Sequence, residues 1–279
     1  MTQKTHALAI RGLEKTFERG QALEKRVLKQ VDLVLQPGEF ISIIGSNGAG
    51  KSTLINCIAG VVSVDNGSIH LDGEDITHIR TDLRAKDVAR VFQDPKLGTA
   101  GQLTVEENLA IADRRGRKNR LKSGVSGSDL PRFKAKLAAL DLGLETRLHA
   151  PADTLSGGQR QALTLIMATM QRPKLLLLDE HTAALDPKAS QMVMNLTEQL
   201  VREMKQTTMM ITHNMENAIR YGDRLIMLHD GEIVIDVSGE AKKRLTVGEL
   251  VDRFKHATSD AVISDCQVLS GEALLAVQA

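Results

Sequence analysis

Gly45-Ser46-Asn47-Gly48-Ala49-Gly50-Lys51-Ser52 is the stretch that decides the fold, and it matches the pattern GxxxxGK[ST]. It directly follows the short apolar segment Phe40–Ile44 and precedes a helix-like segment at residues 53–58. A strand, a glycine-rich loop and a helix, in this order, form the context in which the pattern binds phosphate. Successive backbone N–H groups of the curled loop then point at phosphate oxygens, and the helix dipole adds to the same anion site. This context disfavours the alternative, a glycine-rich turn without a ligand.

The last side chains of this loop predict how a nucleotide is held. The Lys51 ammonium is expected to reach the β- and γ-phosphates of ATP, and the Ser52 hydroxyl is a candidate ligand for Mg²⁺. Thr53 can add a further phosphate contact near the start of the helix. The stretch therefore predicts a site for ATP and Mg²⁺.

A second motif, Leu175-Leu176-Leu177-Leu178-Asp179-Glu180, consists of four apolar residues followed by two carboxylates. A buried strand with this sequence would bring Asp179 near the phosphate loop, where it can bind Mg²⁺ directly or through water. Glu180 would then face the γ-phosphate, and it is our candidate for the general base or water-orienting group. Strands that end in acidic residues are common, so the phosphate loop upstream is what makes this one informative.

Leu155-Ser156-Gly157-Gly158-Gln159 forms a third motif, which the helix-like residues 160–170 follow. A serine and two glycines that lead into a helix make a second backbone anion site. One ATP hardly needs two such surfaces from the same chain. The alternative interpretation of the segment is a helix-capping turn.

The remaining pattern is typical of an α/β protein with a helical insertion. Strand-like alternation at residues 7–13 and 31–35, tight-turn pairs at Asp72-Gly73 and Asp230-Gly231 and a hairpin over residues 224–237 indicate antiparallel pairing. Short apolar runs indicate strands buried on both faces of a sheet, at residues 40–44, 88–92, 175–178 and 208–211.

From about Lys96 to Arg172 the periodicity becomes helical. Thr104 and Glu107 are spaced as a capping box, and a further helix is expected over residues 130–140. This stretch therefore predicts a helical subdomain.

Composition and charge exclude several classes of protein. The 279 residues are 42% hydrophobic and 25% charged, as expected for a globular protein with a substantial core. A formal net charge of +1 gives no large one-signed field that would suggest nucleic acid as the partner. Residues 1–6 lack the apolar stretch of a signal peptide, and no run approaches the length of a membrane span. We therefore expect a cytosolic protein unless a partner holds it to a membrane.

Two smaller features receive structural interpretations. Cys57 and Cys266 lie far apart without a Cys/His cluster, which argues against a zinc site or disulfide framework, and Cys57 is expected in a core. Residues 114–128 are rich in Arg, Lys, Gly and Ser, which favours a solvated loop over a contact with lipid headgroups or a partner.

Together, the three motifs resemble the ATPases of ABC transporters, whose LSGGQ signature contacts the ATP held by the phosphate loop of a second subunit. The resemblance covers approximately residues 8–254. It implies an α/β fold, the P-loop NTPase cassette of this family, with a mixed β-sheet core, an antiparallel β part and a helical subdomain. Its implied ranges are an ABC ATPase domain over residues 1–254, with a RecA-like core at about 1–95 and 173–254 and the helical subdomain at about 96–172. Residues 255–279 would form a C-terminal extension without an assigned role.

Further site residues follow from the resemblance, position by position. Gln93 matches the Q-loop glutamine that senses Mg²⁺ and water, although an ordinary polar strand end would look the same. Asp186 corresponds to the D-loop, which crosses to the partner subunit, although Asp186-Pro187 alone is typical of a helix start. His213 matches the switch histidine that contacts the γ-phosphate, and the alternative is a structural histidine. Phe17 lies where the family places a ring that stacks on adenine, and the alternative is a core phenylalanine.

A finer resemblance concerns residues 92–99 and 179–186. They are similar to the ATPases of bacterial uptake systems for tryptophan, tyrosine or related amino acids, and His181 stands where many ABC ATPases carry proline. The implied partners are a second copy in a head-to-tail dimer, transmembrane permease subunits and, indirectly, an external solute-binding protein, with no nucleic acid. The implied location is the cytoplasm, peripheral on the inner face of the cell membrane.

The resemblance also implies a mechanism and leaves one alternative class open, since the intact Glu180 and His213 speak against a nucleotide-gated structural module without turnover. Hydrolysis would loosen the dimer, and the helical subdomain would pass this movement through the region of Gln93 to the permease. The alternative is a soluble ABC ATPase that acts on nucleic acid or ribosomes. Such proteins usually carry a long coiled-coil insertion or two cassettes in one chain, and this sequence has neither pattern.

Overall fold

The computed structural model describes residues 6–20, 23–116 and 125–257, which form two β-sheets flanked by helices. The strands are β1 Leu8–Phe17, β2 Lys25–Leu35, β3 Phe40–Ile44, β4 Asn66–Leu71, β5 Glu74–Asp75, β6 Val88–Val91, β7 Leu175–Asp179, β8 Thr208–Ile211, β9 Arg224–His229 and β10 Glu232–Ser238. The helices are α1 Lys51–Ala59, α2 Thr81–Arg84, α3 Val105–Asp113, α4 Asp129–Ala138, α5 Gly157–Thr169, α6 Pro187–Met204, α7 Met215–Arg220, α8 Gly239–Lys243 and α9 Val247–Ala257. Short 3₁₀ helices lie at Pro95–Gly98, Leu144–Thr146 and Ala152–Thr154.

A six-stranded sheet in the order β10-β9-β3-β8-β7-β6 forms the centre of the fold. Strands β9, β3, β8, β7 and β6 run parallel, and β10 returns antiparallel along β9. Because the strands are parallel, the carboxyl ends of β3, β7 and β8 lie at the same edge of the sheet. The phosphate loop, Asp179 and His213 follow or end these three strands, so the topology gathers them at that edge.

The short apolar runs are buried on both faces of the sheet, as predicted. Leu175 and Leu177 of β7 pack in one core with α1 and the second sheet, while Leu176 and Leu178 pack in another core with Phe133 and helices of residues 105–204. All four leucines are fully buried. A continuous apolar run, rather than an alternating one, is therefore required of this strand.

The second sheet is antiparallel, with the order β2-β1-β4-β5. It supplies the antiparallel part that the sequence predicted. Asp72 and Gly73 adopt φ values of 50° and 83° in the turn between β4 and β5, and Asp230 and Gly231 adopt 46° and 82° between β9 and β10. These left-handed values are those of tight hairpin turns, so both turn predictions are confirmed.

Helices α3, α4 and α5 occupy the segment predicted as a helical subdomain, whose limits at about 96 and 172 stay a prediction. The capping box forms at α3: Thr104 N donates to Glu107 Oε2 at 2.7 Å, and Glu107 N donates to Thr104 Oγ1 at 3.2 Å. Some ends differ from the prediction. The helix expected at residues 130–140 is Asp129–Ala138, the one expected at 160–170 already begins at Gly157, and the strand expected to reach residue 92 ends at Val91.

Part of the basic segment at residues 114–128, most of the predicted C-terminal extension and Cys266 lie outside the described residues. Cys57 is fully buried, as predicted, and this burial raises the pKa of its thiol to about 11. None of the helices in the described part of the chain has the length and apolar character that crossing a membrane requires.

Candidate nucleotide-binding site

The shape of the phosphate loop depends on glycines that lie against neighbouring backbone. Gly45 has a φ of 152°, and a Cβ added there would lie 2.2 Å from the carbonyl oxygen of Leu228 in β9. Gly50 has a φ of 103°, and its Cβ would lie 2.8 Å from the carbonyl oxygen of Val27 in β2. Only glycine fits both the space and the dihedral angle at these positions. The loop is therefore wedged between strands of both sheets.

The side chain of Lys51 folds back into the loop. Its Nζ donates to the carbonyl oxygens of Gly45, at 2.6 Å, and Ser46, at 2.9 Å, and the residue is only 6% exposed. Helix α1 begins here, with Gly50 as its N-cap and no side chain capping its first turn among the described residues. The loop therefore combines a positive charge with helix N–H groups that no side chain caps, which is the arrangement that binds an anion.

A cavity of about 310 Å³ opens in front of the loop. Its lining residues are Lys25, Val27, Asn47, Gly48, Ala49, Gly50, Lys51, Ser52, Thr53 and Glu180. The structure thus brings most of the predicted phosphate loop together with the predicted general base. Sequence reasoning missed Lys25 and Val27, because they enter through the pairing of β1 with β2 rather than through a motif.

Phe17 lies at the end of β1, directly opposite Lys25 in the β1–β2 register. The residue is 39% exposed, and the Nζ of Lys15 lies 5.5 Å from the ring centroid. The alternative of a core phenylalanine is therefore excluded. Because Lys25 lines the cavity, its sheet neighbour Phe17 lies near the nucleotide cavity. The contact of its ring with adenine stays a prediction.

Glu180 and His213 form a pair beside the cavity. The Oε2 of Glu180 lies 3.7 Å from the Nδ1 of His213. This interaction lowers the pKa of the Glu180 carboxyl against the opposing effect of burial, and the charge of Lys51 lowers it further. The same interaction raises the pKa of His213. Glu180 is therefore a carboxylate at neutral pH, the form that can orient a water molecule and accept its proton.

Asp179 ends β7 and is held by an ion pair that sequence reasoning missed. Its Oδ2 accepts from Nη2 of Arg90 at 2.5 Å, and Nη1 of Arg90 donates to Oδ1 of Asn56 at 2.6 Å. The guanidinium also lies 4.8 Å from the ring centroid of Phe92. The signal that could have revealed this contact is a single charged residue inside the otherwise apolar strand Val88–Val91.

Other predicted residues do not line this cavity in the single chain. Gln93 is exposed just after β6. Ser156 and Gln159 form a capping box at the start of α5, and Asp186 caps α6 by accepting from the backbone N–H of Ala189 at 3.0 Å. The helix-capping and helix-start alternatives therefore describe the local structure correctly. The roles of these residues toward a nucleotide stay predictions.

A glycine-rich loop between a parallel strand and a helix, with carboxylates at the end of a nearby strand, defines a P-loop nucleotide-binding cassette. The family model described as ABC transporter matches residues 28–183. The tyrosine transport ATP-binding protein of Clostridioides difficile (strain R20291) is 46% identical over 250 residues, which cover 90% of this chain and 99% of that protein. The phosphonates import ATP-binding protein PhnC of Alcaligenes faecalis is 39% identical, over 82% of both chains.

Solved structures agree with these relatives. A dimeric post-hydrolysis state of the ATP-binding cassette MJ0796 bound to ADP and phosphate has a TM-score of 0.69 and 29% identity, covering 83% of this chain and 98% of that one. The ADP conformation of the cassette MJ1267 has a TM-score of 0.73 and 25% identity, covering 94% and 98%. The chain therefore belongs to the ABC transporter family, as an ATP-binding and ATP-hydrolysing subunit with the fold that the sequence predicted.

Proposed function

We propose that this subunit drives the uptake of a small, amino-acid-like solute by hydrolysing ATP in a head-to-tail dimer that docks on transmembrane permease subunits. The observation that carries this proposal is the cavity in which the phosphate loop faces Glu180, with His213 beside the carboxylate. The solute class is supported by the relative named for tyrosine transport, which is similar over nearly its whole length. Relatives named for phosphonate and spermidine/putrescine import are similar at lower identity.

In the proposed reaction, each residue around the cavity has a separate role. Lys51 exchanges its bonds to the carbonyls of Gly45 and Ser46 for phosphate oxygens of ATP, which keep the ammonium fully hydrogen-bonded. Glu180 orients the attacking water and accepts its proton. His213, whose Nδ1 lies 3.7 Å from the Glu180 carboxylate, contacts the γ-phosphate, so the charge that develops there is stabilised by groups already in place.

The residues at this edge of the sheet suit Mg²⁺. The exposed Ser52 hydroxyl and the Asp179 carboxylate are hard oxygen donors, the kind that Mg²⁺ prefers. The described residues contain no group of three or more His, Cys, Asp and Glu side chains arranged for a metal ion, so the remaining ligands would have to be phosphate oxygens and water. When bound, Mg²⁺ would neutralise charge on the phosphates. Gln93, which is exposed just after β6, is the further predicted ligand of this ion.

The exposed start of α5 supports a composite site. Ser156 and Gly157 are exposed, and residues 156–159 are absent from the lining of the cavity formed by their own chain. A second copy in head-to-tail orientation would bring these residues to the γ-phosphate, with Asp186 crossing between the subunits. The similar cassette MJ0796 is described as dimeric with ADP and phosphate bound.

A groove beside Gln93 supports docking on a permease. It has a volume of about 580 Å³ and is lined by Phe92, Leu97, Ile111 and Met167, among others. Leu97 is 69% exposed and Ile111 is 56% exposed, and both line this one groove, as apolar side chains at a protein-binding surface do. A permease segment that covers them would hold the subunit at the cytoplasmic face of the membrane. An external solute-binding protein would act only through that permease.

The experiment isolates a tagged subunit from membranes and reconstitutes the co-purified complex in liposomes. We expect an integral membrane partner, and ATP-driven uptake of labelled tyrosine that exceeds uptake of spermidine or a phosphonate. The Lys51→Ala subunit serves as the control without turnover. Uptake of a different solute would reject the amino-acid class. Recovery with ribosomes or DNA, and without a membrane partner, would reject transport in favour of the nucleic-acid class.

A further inference from the structure

His181, the residue directly after Glu180, is fixed from its side chain. The residue is 1% exposed, and its Nε2 lies 3.0 Å from Oγ1 of Thr197 in helix α6. The Thr197 hydroxyl donates its single proton to the carbonyl oxygen of Val193 at 2.8 Å. Because that proton is already used, the imidazole must be the donor, and Nε2 of His181 carries a hydrogen. The ring is thus held in one tautomer and one orientation.

The backbone of the same residue is fixed from a second helix. The carbonyl oxygen of His181 accepts from Nε2 of Gln161 at 2.6 Å. That amide nitrogen also donates to the carbonyl oxygen of Phe92 at 3.0 Å. Gln161 is fully buried in α5, the helix that begins at the Ser156 cap. One residue after Glu180 is therefore tied to α5 and α6 together.

Glu180 itself needs such support. Its φ of 46° lies in the left-handed region, which is strained for a residue with a Cβ. Such conformations persist only where the surroundings over-determine them. The backbone N–H of Glu180 donates to the carbonyl oxygen of Ile211 in β8 at 3.0 Å, and this hydrogen bond holds the N-terminal side of the residue against β8. The contacts of His181 fix the other side.

We propose that His181 is a positioning residue, which keeps Glu180 in its left-handed conformation through Thr197 on one side and Gln161 on the other. This inference rests on the role assigned to Glu180 under the proposed function. The imidazole faces α6 and is absent from the lining of the nucleotide cavity, so His181 acts only through its neighbour. The tie to α5 also makes the position of Glu180 depend on the helix that carries Ser156 at its start.

The test compares variants of the full chain by their steady-state ATPase kinetics and thermal unfolding. Thr197→Val keeps the shape of the side chain and removes the acceptor for His181, while His181→Phe keeps a ring and removes the donor. His181→Gln restores an N–H donor at a similar reach. The matched control is Thr169→Val, because Thr169 is also a buried helix threonine whose hydroxyl donates to backbone carbonyls, at 2.9 and 3.1 Å, within its own helix α5.

We expect Thr197→Val and His181→Phe to lower kcat about tenfold with KM for ATP within about twofold of the parent, since only the orientation of the water-activating group changes. His181→Gln should recover most of this loss, and Thr169→Val should keep the parental kcat. A merely structural role would lower Tm in the threonine variants alike and leave kcat at 25 °C unchanged. That result would overturn the inference, and Thr197→Val decides it even if His181→Phe does not fold.

A further variant separates this inference from the role of Glu180. If Glu180→Gln keeps parental turnover, the proposed role of Glu180 fails, and the positioning role fails with it. If Glu180→Gln is inactive and Thr197→Val has parental kcat, only the inference about His181 fails. In the Glu180→Gln background, Thr197→Val should cause no further loss of turnover, because the group that it positions is already gone. An additional tenfold loss there would also overturn the inference.

Discussion

Glu180→Gln tests the catalytic site directly, because it changes the charge of one side chain and little else. Glutamine has nearly the same size as glutamate and meets the same backbone requirement at φ 46°. The predicted ligands of ATP and Mg²⁺ at Lys51, Ser52 and Asp179 are unchanged. The variant loses the carboxylate that lies 3.7 Å from His213, and this carboxylate is the proposed proton acceptor for water.

The expected magnitude follows from the kind of catalysis. A positioned general base contributes about 10²–10⁴ in rate, which corresponds to about 3–5 kcal/mol in the activation barrier. We therefore expect turnover to fall by at least about a hundredfold. Since ATP then persists between the phosphate loop and Ser156–Gln159 of a second copy, nucleotide at about 100 times its Kd would stabilise the closed dimer by about 2.7 kcal/mol. The dimer should accumulate with ATP only.

The assay combines phosphate release with size exclusion and light scattering in ATP, ADP and no nucleotide. Glu203→Gln, at an exposed glutamate of α6, is the control for the loss of one carboxylate. Adding Ser156→Arg to Glu180→Gln should abolish the dimer by blocking the second anion site. Hydrolysis at the parental rate by Glu180→Gln would refute the assignment of the base. A monomer at high protein concentration and saturating ATP would refute the composite site.

Three further predictions concern surfaces and stability. Phe17→Ala should weaken ATP binding by about 1 kcal/mol or more. Thermal stability should change little, because the ring is 39% exposed. Nucleotide titration and unfolding of the same variant check this, and a large loss of stability without a loss of affinity would contradict it. Within residues 96–102, Leu97→Glu should reduce recovery of the subunit with membranes while its nucleotide affinity stays parental, and unchanged recovery would count against the groove. Burial holds the pKa of Cys57 at about 11, against 9.0 for a free thiol, so the unfolded chain loses this proton at lower pH than the folded chain. The free energy of unfolding should therefore decrease above pH 9, by about 1 kcal/mol at pH 10. Denaturant unfolding of the Cys266→Ser chain at pH 8 and 10, with and without Cys57→Ala, measures this difference, and an equal pH dependence in both would disprove it.

Local patterns predicted those features that depend on few neighbouring residues. The run Leu175–Asp179 had to be buried on both faces, since it carries no polar side chain before its end. The Thr104 capping box and the Asp-Gly turns also formed as predicted, because their hydrogen bonds close within a few residues.

Contacts between distant segments were beyond the reach of such patterns. Arg90 meets Asp179 only because β6 and β7 are neighbours in the sheet, although 89 residues separate the two in the chain. Gln161 meets His181 through the packing of α5 against the turn after β7. Nothing in the sequence indicated why a histidine stands at position 181, where many ABC ATPases carry proline. The side chain that explains it is Thr197, which lies on a separate helix, α6.

The strand order of the central sheet has a consequence for how this subunit is made. Strand β3, which carries the phosphate loop, has β8 and β9 as its only hydrogen-bonded neighbours among the described strands. Both are synthesised after residue 183, where the family match ends, whereas the phosphate loop, Asp179 and Glu180 are all synthesised before it. In a nascent chain that already carries these motifs, β3 therefore still lacks both of its neighbouring strands. Competence to bind nucleotide should arise abruptly, once the turn that follows β9 has left the ribosome and its Gly231 can donate to the carbonyl oxygen of Ala49.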